Sequence, residues 1–162
     1  MDALDTLAAQ LGALLKARDY KLSLAESCTG GMAASAVTSV AGSSSWFDRG
    51  FVTYSNEAKM QMLEVSAETL NRFGAVSEQT ALEMAQGALA HSLAHITCSI
   101  TGIAGPDGGT AEKPVGTVCF AWAGTKMTPS TKTCHFNGNR QEIRIQSATM
   151  ALSGLINILK SR

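Results

Sequence analysis

Residues 22–31, LSLAESCTGG, join an alternating apolar segment to a pair of glycines through three consecutive side chains that can act as nucleophiles. Alternation with period two predicts a β-strand over KLSLAE, residues 21–26. The small residues of MAASAVTSV, 32–40, predict a helix that can pack closely on a sheet. A strand, a turn and a helix in this order indicate a layered α/β domain.

Helical and strand-like patterns alternate along the rest of the chain. Apolar residues on one face predict an opening helix over residues 2–18 and a closing helix over residues 140–159. Three more helices are predicted to begin at residues that cap helices well, which are Ser55 or Asn56, Ser66 and Ser77. The other predicted strands are residues 50–54, 95–101, 115–123 and 130–136, the last two joined by a turn near residues 124–129.

These elements predict an α/β fold, a three-layer α/β/α arrangement with a mixed, mostly parallel sheet, and residues 1–162 are expected to form a single domain. The apolar face of the opening helix consists of Leu4, Leu7, Leu11, Leu14 and Leu15. That of the closing helix consists of Ile143, Ile145, Ala148, Leu152, Leu155 and Leu159. Trp46 and Phe47 are expected to pack against other residues rather than stack on a ligand.

Composition narrows the classes of function. Hydrophobic residues make up 45% of the 162 residues and charged residues 16%, a balance typical of a globular protein and unlike that of a disordered chain. The net charge is zero with scattered lysines and arginines, so no nucleic acid partner is expected. Because no segment resembles a signal peptide or a membrane span, a cytoplasmic protein without a membrane partner is predicted.

Cysteine and histidine spacing argues against a metal site or a disulfide framework. Cys28, Cys98, Cys119 and Cys134 are widely spaced and form no CxxC motif, so free thiols in a reducing compartment are expected. The three histidines have no ligand spacing beside a carboxylate, and zinc is not expected. Neither a metal nor another cofactor is predicted. The oligomeric state is not fixed by the sequence, although apolar helices permit a homodimer.

Three polar loops are predicted at strand ends, at residues 27–31, 53–59 and 101–109. Ligands of open α/β sheets bind where the carboxyl ends of strands meet loops, so we expect the three loops to converge on one site. The first loop has no Walker A lysine and no GxGxxG fingerprint, which argues against nucleotide hydrolysis. Binding of a single phosphate remains compatible with such loops.

The first loop also offers candidates for covalent catalysis. A serine at a strand-to-helix turn, such as Ser27, exposes its hydroxyl above the sheet, near helix amides that can stabilise an oxyanion. No histidine lies in the three loops, so Lys59 is the candidate base, provided that its pKa is lowered; otherwise it is a solvated helix lysine. Cys28 is a rival nucleophile, and Thr29 is equally well explained as a helix N-cap. Residue types alone do not choose between Ser27 and Cys28.

Longer motifs resemble one known family. AESCTGG, GSSSWFDRGFVTYSNEAK, GAVSEQT and TGIAGPDGGTAEKPVGTV occur in this order and at the intervals typical of the CinA carboxy-terminal domain family. The resemblance covers residues 4–160 and implies an enzyme that hydrolyses the carboxamide of nicotinamide mononucleotide, giving nicotinate mononucleotide and ammonia. The alternative is a nucleotide-binding or regulatory module of the same family without catalysis.

The resemblance also implies roles for individual residues. Ser27 is expected to be the nucleophile and Lys59 its base, with Tyr54 assisting. Backbone amides near Thr29, Gly30 and Gly31 are expected to hold the oxyanion. The expected contacts to substrate are Thr29, Gly30, Gly31, Thr101, Gly102 and Arg140. An intact set of Ser27, Tyr54 and Lys59 favours the enzyme over the binding module.

Overall fold

The computed structural model describes residues 2–162, which form one five-stranded sheet with helices on both faces. The strands are β1 (Leu22–Glu26), β2 (Phe47–Val52), β3 (Ile96–Gly102), β4 (Thr117–Gly124) and β5 (Met127–His135), in the spatial order β2-β1-β3-β4-β5. β1 pairs in parallel with β2 and β3, whereas β4 is antiparallel to both β3 and β5. Four of the five strands therefore run in the same direction, and the predicted mixed, mostly parallel sheet is confirmed.

Six α-helices form the outer layers. They are α1 (Ala3–Arg18), α2 (Met32–Thr38), α3 (Asn56–Leu63), α4 (Ala67–Phe73), α5 (Glu78–Ala90) and α6 (Arg140–Lys160). α1, α2 and α6 pack together on one face of the sheet, while α5 packs on the other and contacts α3 and α4. Alternate residues of β4 point to the two faces: Phe120 joins the core beneath α6, and Cys119 and Ala121 pack against α5. The predicted three-layer arrangement is confirmed.

The predicted helix starts are confirmed by capping hydrogen bonds. The side chains of Ser55, Ser66 and Ser77 each accept a bond from the backbone N–H three residues later, which satisfies a donor at the start of α3, α4 and α5. At the start of α6, Asn139 and Glu142 form a reciprocal capping box. Ser55 rather than Asn56 caps α3, so the helix that carries Lys59 begins at Asn56.

The core beneath α1 and α6 contains most of the predicted apolar faces. Leu11 and Leu15 of α1 are fully buried, and Trp46 packs so closely on α1 that a Cβ on Gly12 would lie 2.5 Å from its ring. The expectation that Trp46 packs in the core is thus confirmed. Ile145 is the exception on the closing helix, because it is 42% exposed and does not contribute to the core.

The two largest errors in the predicted strand boundaries both belong to edge strands. β2 begins at Phe47 rather than at residue 50, and β5 begins at Met127 rather than at residue 130. Pro129 suggested a turn over residues 124–129, but an edge strand tolerates a proline because its outward side needs no donor. The actual connection is shorter, since Gly124 pairs directly with Met127.

The four cysteines are free thiols, and no helix in the described part of the chain is long and apolar enough to cross a membrane. Within residues 2–162, no group of three or more histidine, cysteine or acidic side chains is arranged to hold a metal ion.

Candidate active site

A pocket of about 300 Å³ lies at the carboxyl ends of β1 and β3. The three predicted loops converge there, and the first turn of α6 closes one side. Six of the nine predicted site residues line this pocket: Ser27, Tyr54, Lys59, Thr101, Gly102 and Arg140. The strand order explains the convergence, because β1 and β3 are parallel neighbours whose ends meet at the same edge of the sheet.

Ser27 and Lys59 contact each other directly. Lys59 Nζ donates hydrogen bonds to Ser27 Oγ at 3.1 Å and to the Thr53 carbonyl at 3.0 Å. Lys59 is only 1% exposed, so it is not the solvated helix lysine that its spacing alone allowed. No carboxylate lies within salt-bridge distance of Lys59 among the described residues.

The buried position of Lys59 determines its protonation chemistry. Burial lowers the pKa of the Lys59 ammonium from its usual value, because a charged group loses hydration in the interior. A thiolate at Cys28 would act in the opposite direction. A lysine whose pKa is lowered in this way has a larger neutral fraction near neutral pH, which is the form that accepts a proton from serine.

Cys28 lies beside Ser27 and also lines the pocket, but its environment suppresses its reactivity. The side chain is 7% exposed, and burial raises its pKa to about 11. The thiolate is the reactive form of cysteine, so a thiol in this state is a weak nucleophile near neutral pH. The two side chains are equally buried, and the contact with Lys59 Nζ, which Ser27 makes, is what favours Ser27 over Cys28.

Glu26 holds the turn that carries Ser27. Its buried carboxylate accepts hydrogen bonds from the Thr29 hydroxyl at 2.6 Å and from the backbone N–H groups of Ala33 and Ala34 at 3.0 and 2.9 Å. Its backbone carbonyl accepts from the Thr53 N–H at 2.8 Å, next to the carbonyl that binds Lys59. Glu26 was not among the predicted residues, because its role depends on backbone donors that leave no sequence motif.

Three predicted contacts lie outside this pocket. Thr29 is fully buried with its hydroxyl on Glu26, whereas Gly30 and Gly31 line a separate groove on the α1 side of the turn. The Gly30 N–H is donated to the Ser27 carbonyl at 3.0 Å and so is not available to an oxyanion. We therefore leave Thr29, Gly30 and Gly31 out of the substrate contacts proposed below.

Thr101 and Gly102 form the floor of the pocket at the end of β3. The Thr101 hydroxyl donates to the Ala75 carbonyl at 2.8 Å, which joins β3 to the segment before α5. A Cβ on Gly102 would lie 2.7 Å from Val118 Cγ2 and 3.0 Å from the Thr117 carbonyl oxygen. Glycine at this position is thus required by close packing against β4, whatever its relation to substrate.

Tyr54 and Arg140 form one wall of the pocket. Arg140 donates to the Tyr54 hydroxyl at 3.1 Å and to the Gly105 carbonyl at 2.8 Å, which connects α6 to two of the pocket loops. Tyr54 is 62% exposed and its hydroxyl is paired with Arg140, whereas Lys59 reaches Ser27 directly. Lys59 thus contacts Ser27 without Tyr54 between them, and assistance by Tyr54 stays a prediction.

Arg144 is a second residue that the sequence reasoning missed. It lies one turn after Arg140 on α6 and donates to the backbone carbonyls of Cys28 and Thr29, at 3.2 and 3.1 Å. The i, i+4 spacing of two arginines on one helix face was visible in the sequence, but its partners are backbone atoms distant in the chain.

The fold is that of a known family. Residues 4–159 match the model of the CinA C-terminal domain, so the chain belongs to this family. The crystal structure of competence/damage inducible protein CihA from Agrobacterium tumefaciens is similar, with a TM-score of 0.95 and 46% identity, over 98% of this chain and 96% of that one.

Two curated relatives are similar to this chain over nearly their whole length. A protein from Enterobacter agglomerans named nicotinamide-nucleotide amidohydrolase PncC is 53% identical over 149 residues, which are 92% of this chain and 91% of the relative. A protein of the same name from Escherichia coli K12 is 54% identical over 149 residues, covering 92% of this chain and 90% of the relative.

Proposed function

We propose that this chain hydrolyses the carboxamide of nicotinamide mononucleotide to nicotinate mononucleotide and ammonia through a serine–lysine mechanism. The observation that carries the proposal is the 3.1 Å contact between Lys59 Nζ and Ser27 Oγ, buried at the end of a pocket large enough for a small ligand. The names of the relatives supply the substrate, and a carboxamide suits covalent catalysis because it is a weak electrophile.

In the acylation step, neutral Lys59 takes the proton of the Ser27 hydroxyl while Ser27 Oγ attacks the amide carbon. The tetrahedral intermediate carries its negative charge on the former carbonyl oxygen, which requires a donor from the protein. The Cys28 N–H is the proposed donor, because it follows the nucleophile directly, as in other strand-to-helix nucleophile turns. Protonated Lys59 then gives its proton to the amide nitrogen, the C–N bond breaks and ammonia leaves.

In the deacylation step, a water molecule attacks the acyl-serine while Lys59 accepts one of its protons. The bond between Ser27 Oγ and the acyl carbon breaks, Ser27 regains a proton from Lys59, and nicotinate mononucleotide is released as the carboxylic acid, which then ionises. Lys59 thus ends each cycle in the neutral state in which it began. The step uses only groups that lie within the pocket and one water molecule.

Arg140 is the proposed phosphate ligand. Arg140 and Lys59 are the two basic side chains that line the pocket in the described part of the chain. Lys59 is already hydrogen-bonded to Ser27. A guanidinium has five N–H donors in a planar fork, of which Arg140 uses two for Gly105 and Tyr54. The remaining donors can pair with phosphate oxygens, and the exposed ring of Tyr54 borders the same space.

Ammonia release from nicotinamide mononucleotide, measured for the wild type and for Ser27→Ala, Lys59→Ala and Cys28→Ala, tests the proposal. The first two variants should lose activity by at least about 10³-fold, because nucleophile and base act as one unit. Cys28→Ala is the matched control for Ser27→Ala and should stay within about threefold of the wild type. An inactive Cys28→Ala would make the thiol the nucleophile, and a wild type that binds the nucleotide without releasing ammonia would be a binding module.

A further inference from the structure

Arg144 binds two backbone carbonyls of the turn that carries Ser27, from a groove separate from the pocket. Its guanidinium donates from Nε to the Cys28 carbonyl at 3.2 Å and from Nη2 to the Thr29 carbonyl at 3.1 Å, while Nη1 donates to Gln141 Oε1 at 3.1 Å. Arg144 does not line the pocket; it borders the neighbouring groove, where a Cβ on Gly30 would lie 3.7 Å from Nη2. It is therefore not one of the side chains that line the site described above.

The contact with Thr29 is the first link of a chain of peptide groups that ends beside Ser27. The Thr29 carbonyl and the Gly30 N–H belong to one planar trans peptide, so they point in opposite directions. The Gly30 N–H donates to the Ser27 carbonyl at 3.0 Å. The Ser27 carbonyl in turn shares a peptide with the Cys28 N–H. No other residue among 2–162 accepts a hydrogen bond from the Cys28 N–H, whose nearest acceptor is the sulfur of its own side chain.

We propose that Arg144 is a positioning residue that fixes and polarises the Cys28 N–H as the oxyanion donor. The guanidinium orients the peptide between Thr29 and Gly30, which orients the peptide between Ser27 and Cys28 through the turn hydrogen bond. Positive charge on the carbonyl side of the first peptide strengthens each following N–H as a donor, because linked hydrogen bonds polarise one another. This inference rests on the proposed serine–lysine function of the site and names a residue outside its pocket.

The two contacts of Arg144 depend on the planar, two-pronged arrangement of donors in a guanidinium. Two carbonyls of consecutive residues accept from Nε and Nη2 of one rigid group, and a lysine ammonium on a flexible stem does not reproduce that pairing. Arg144→Lys keeps the charge but loses the fork, whereas Arg144→Met loses both and keeps most of the aliphatic stem. The two variants thus separate charge from geometry.

The test measures kcat and KM for ammonia release from nicotinamide mononucleotide. Arg144→Met should lower kcat about 10- to 100-fold, less than the ~10²- to 10³-fold loss expected from removing an oxyanion donor itself, with KM within about threefold. Arg144→Lys should lie between Arg144→Met and the wild type. Arg72→Met makes the same chemical change on an exposed residue of α4 and should leave both constants unchanged. An unchanged kcat with a raised KM in Arg144→Met would overturn the inference.

A second measurement separates this inference from the proposed function. The rate at which Ser27 is acylated by 4-nitrophenyl nicotinate, followed as a burst of nitrophenol, depends on the oxyanion donor but not on the natural substrate. If the wild type releases no ammonia but Arg144→Met slows acylation tenfold or more, the inference holds and the proposed function fails. Equal acylation rates in the wild type and Arg144→Met would overturn the inference alone, and a wild type that neither releases ammonia nor is acylated would overturn both.

A merely structural role of Arg144 predicts different results. Arg144→Ala should recover part of its acylation rate when ethylguanidinium is added, because a guanidinium that diffuses into the open groove can bind the same two carbonyls. Loss of activity that follows a lower melting temperature and does not respond to ethylguanidinium would show that Arg144 only supports the fold, and would overturn the inference.

Discussion

Lys59 Nζ lies 3.1 Å from Ser27 Oγ, and the two side chains are only 1% and 7% exposed. The other hydrogen-bond partner of Nζ is the neutral carbonyl of Thr53, and no acid neutralises the ammonium within the described residues. Burying an unpaired charge is costly, so the environment favours the neutral amine. The same burial that makes Lys59 a poor contributor to stability makes it a suitable base.

Activity should therefore follow the titration of Lys59. Its pKa is lowered by burial, so kcat/KM should rise with pH through a midpoint below the value of about 10.4 for an ordinary lysine, and then level off. Rates from pH 7 upward measure this, since the phosphate of the substrate, with a second pKa near 6, is already ionised there. Lys59→Arg should be inactive throughout, because arginine stays charged. A flat profile would contradict the role of Lys59 as base.

Lys59 should also make stability depend on pH. The pKa of Lys59 is lower in the folded chain than in the unfolded one, so between the two values the unfolded chain binds more protons and the free energy of unfolding rises with pH. Lys59→Met removes the buried ammonium and should melt at or above the wild-type temperature at pH 7, with a difference that shrinks as the pH approaches about 10.4. Ser27→Ala is the control, because it keeps the ammonium and should keep the wild-type pH dependence.

Arg140 should distinguish substrates by their phosphate. Arg140→Met removes the proposed phosphate ligand and should raise KM for nicotinamide mononucleotide about 10- to 100-fold, in line with the ~1.5–3 kcal/mol of a charged hydrogen bond. KM for nicotinamide riboside, which lacks the phosphate, should change little. Tyr54→Phe removes only the hydroxyl that accepts from Arg140 and should have a smaller effect on both. Equal losses for both substrates would place the phosphate elsewhere.

Cys28 should behave as an inert thiol. Its pKa of about 11 keeps it protonated at pH 7.5, so iodoacetamide should modify it slowly in the folded protein. Cys134, which is only half-buried, should be modified first. Mass spectrometry of native and urea-unfolded samples measures both rates, and rapid native labelling of Cys28 would mean that it is exposed or activated.

Local patterns predicted the elements of the fold because each has a local cause. Ser66 and Ser77 signal helix starts through bonds to backbone groups three residues away. Alternation located β1, although all five of its residues, Ser23 included, are buried. The boundaries of β2 and β5 were missed because edge strands tolerate charge, glycine and Pro129, which elsewhere mark loops. Patterns thus locate elements better than they locate sheet edges.

The site was harder than the fold to predict from individual residues. Ser27 and Lys59 are separated by 32 positions, and only packing of α3 near the end of β1 shows that the lysine is buried. The resemblance of longer motifs selected both residues before the geometry was known. Glu26 and Arg144 were not predicted, because they bind backbone groups, which every residue has and no sequence motif records.

For replacement of Gly87 by alanine, helix propensity and tertiary packing predict opposite changes in the free energy of unfolding. It lies inside α5, where replacing glycine by alanine normally stabilises by about 1 kcal/mol. A Cβ at this position would lie 2.0 Å from the Leu63 carbonyl oxygen at the end of α3, and backbone atoms of a packed helix cannot move aside cheaply.

Gly87→Ala should therefore destabilise the chain by about 3 kcal/mol, the upper range for overpacking, and should displace α3 together with Lys59. Activity should fall even at temperatures where the variant is folded, because the contact between Lys59 and Ser27 depends on the position of α3. Gln86→Ala, at the neighbouring exposed position of α5, is the control and should change the free energy of unfolding by less than about 0.5 kcal/mol. Urea unfolding of the two variants measures the difference. A Gly87→Ala variant as stable as the wild type would mean that α3 and α5 are not packed as closely as described.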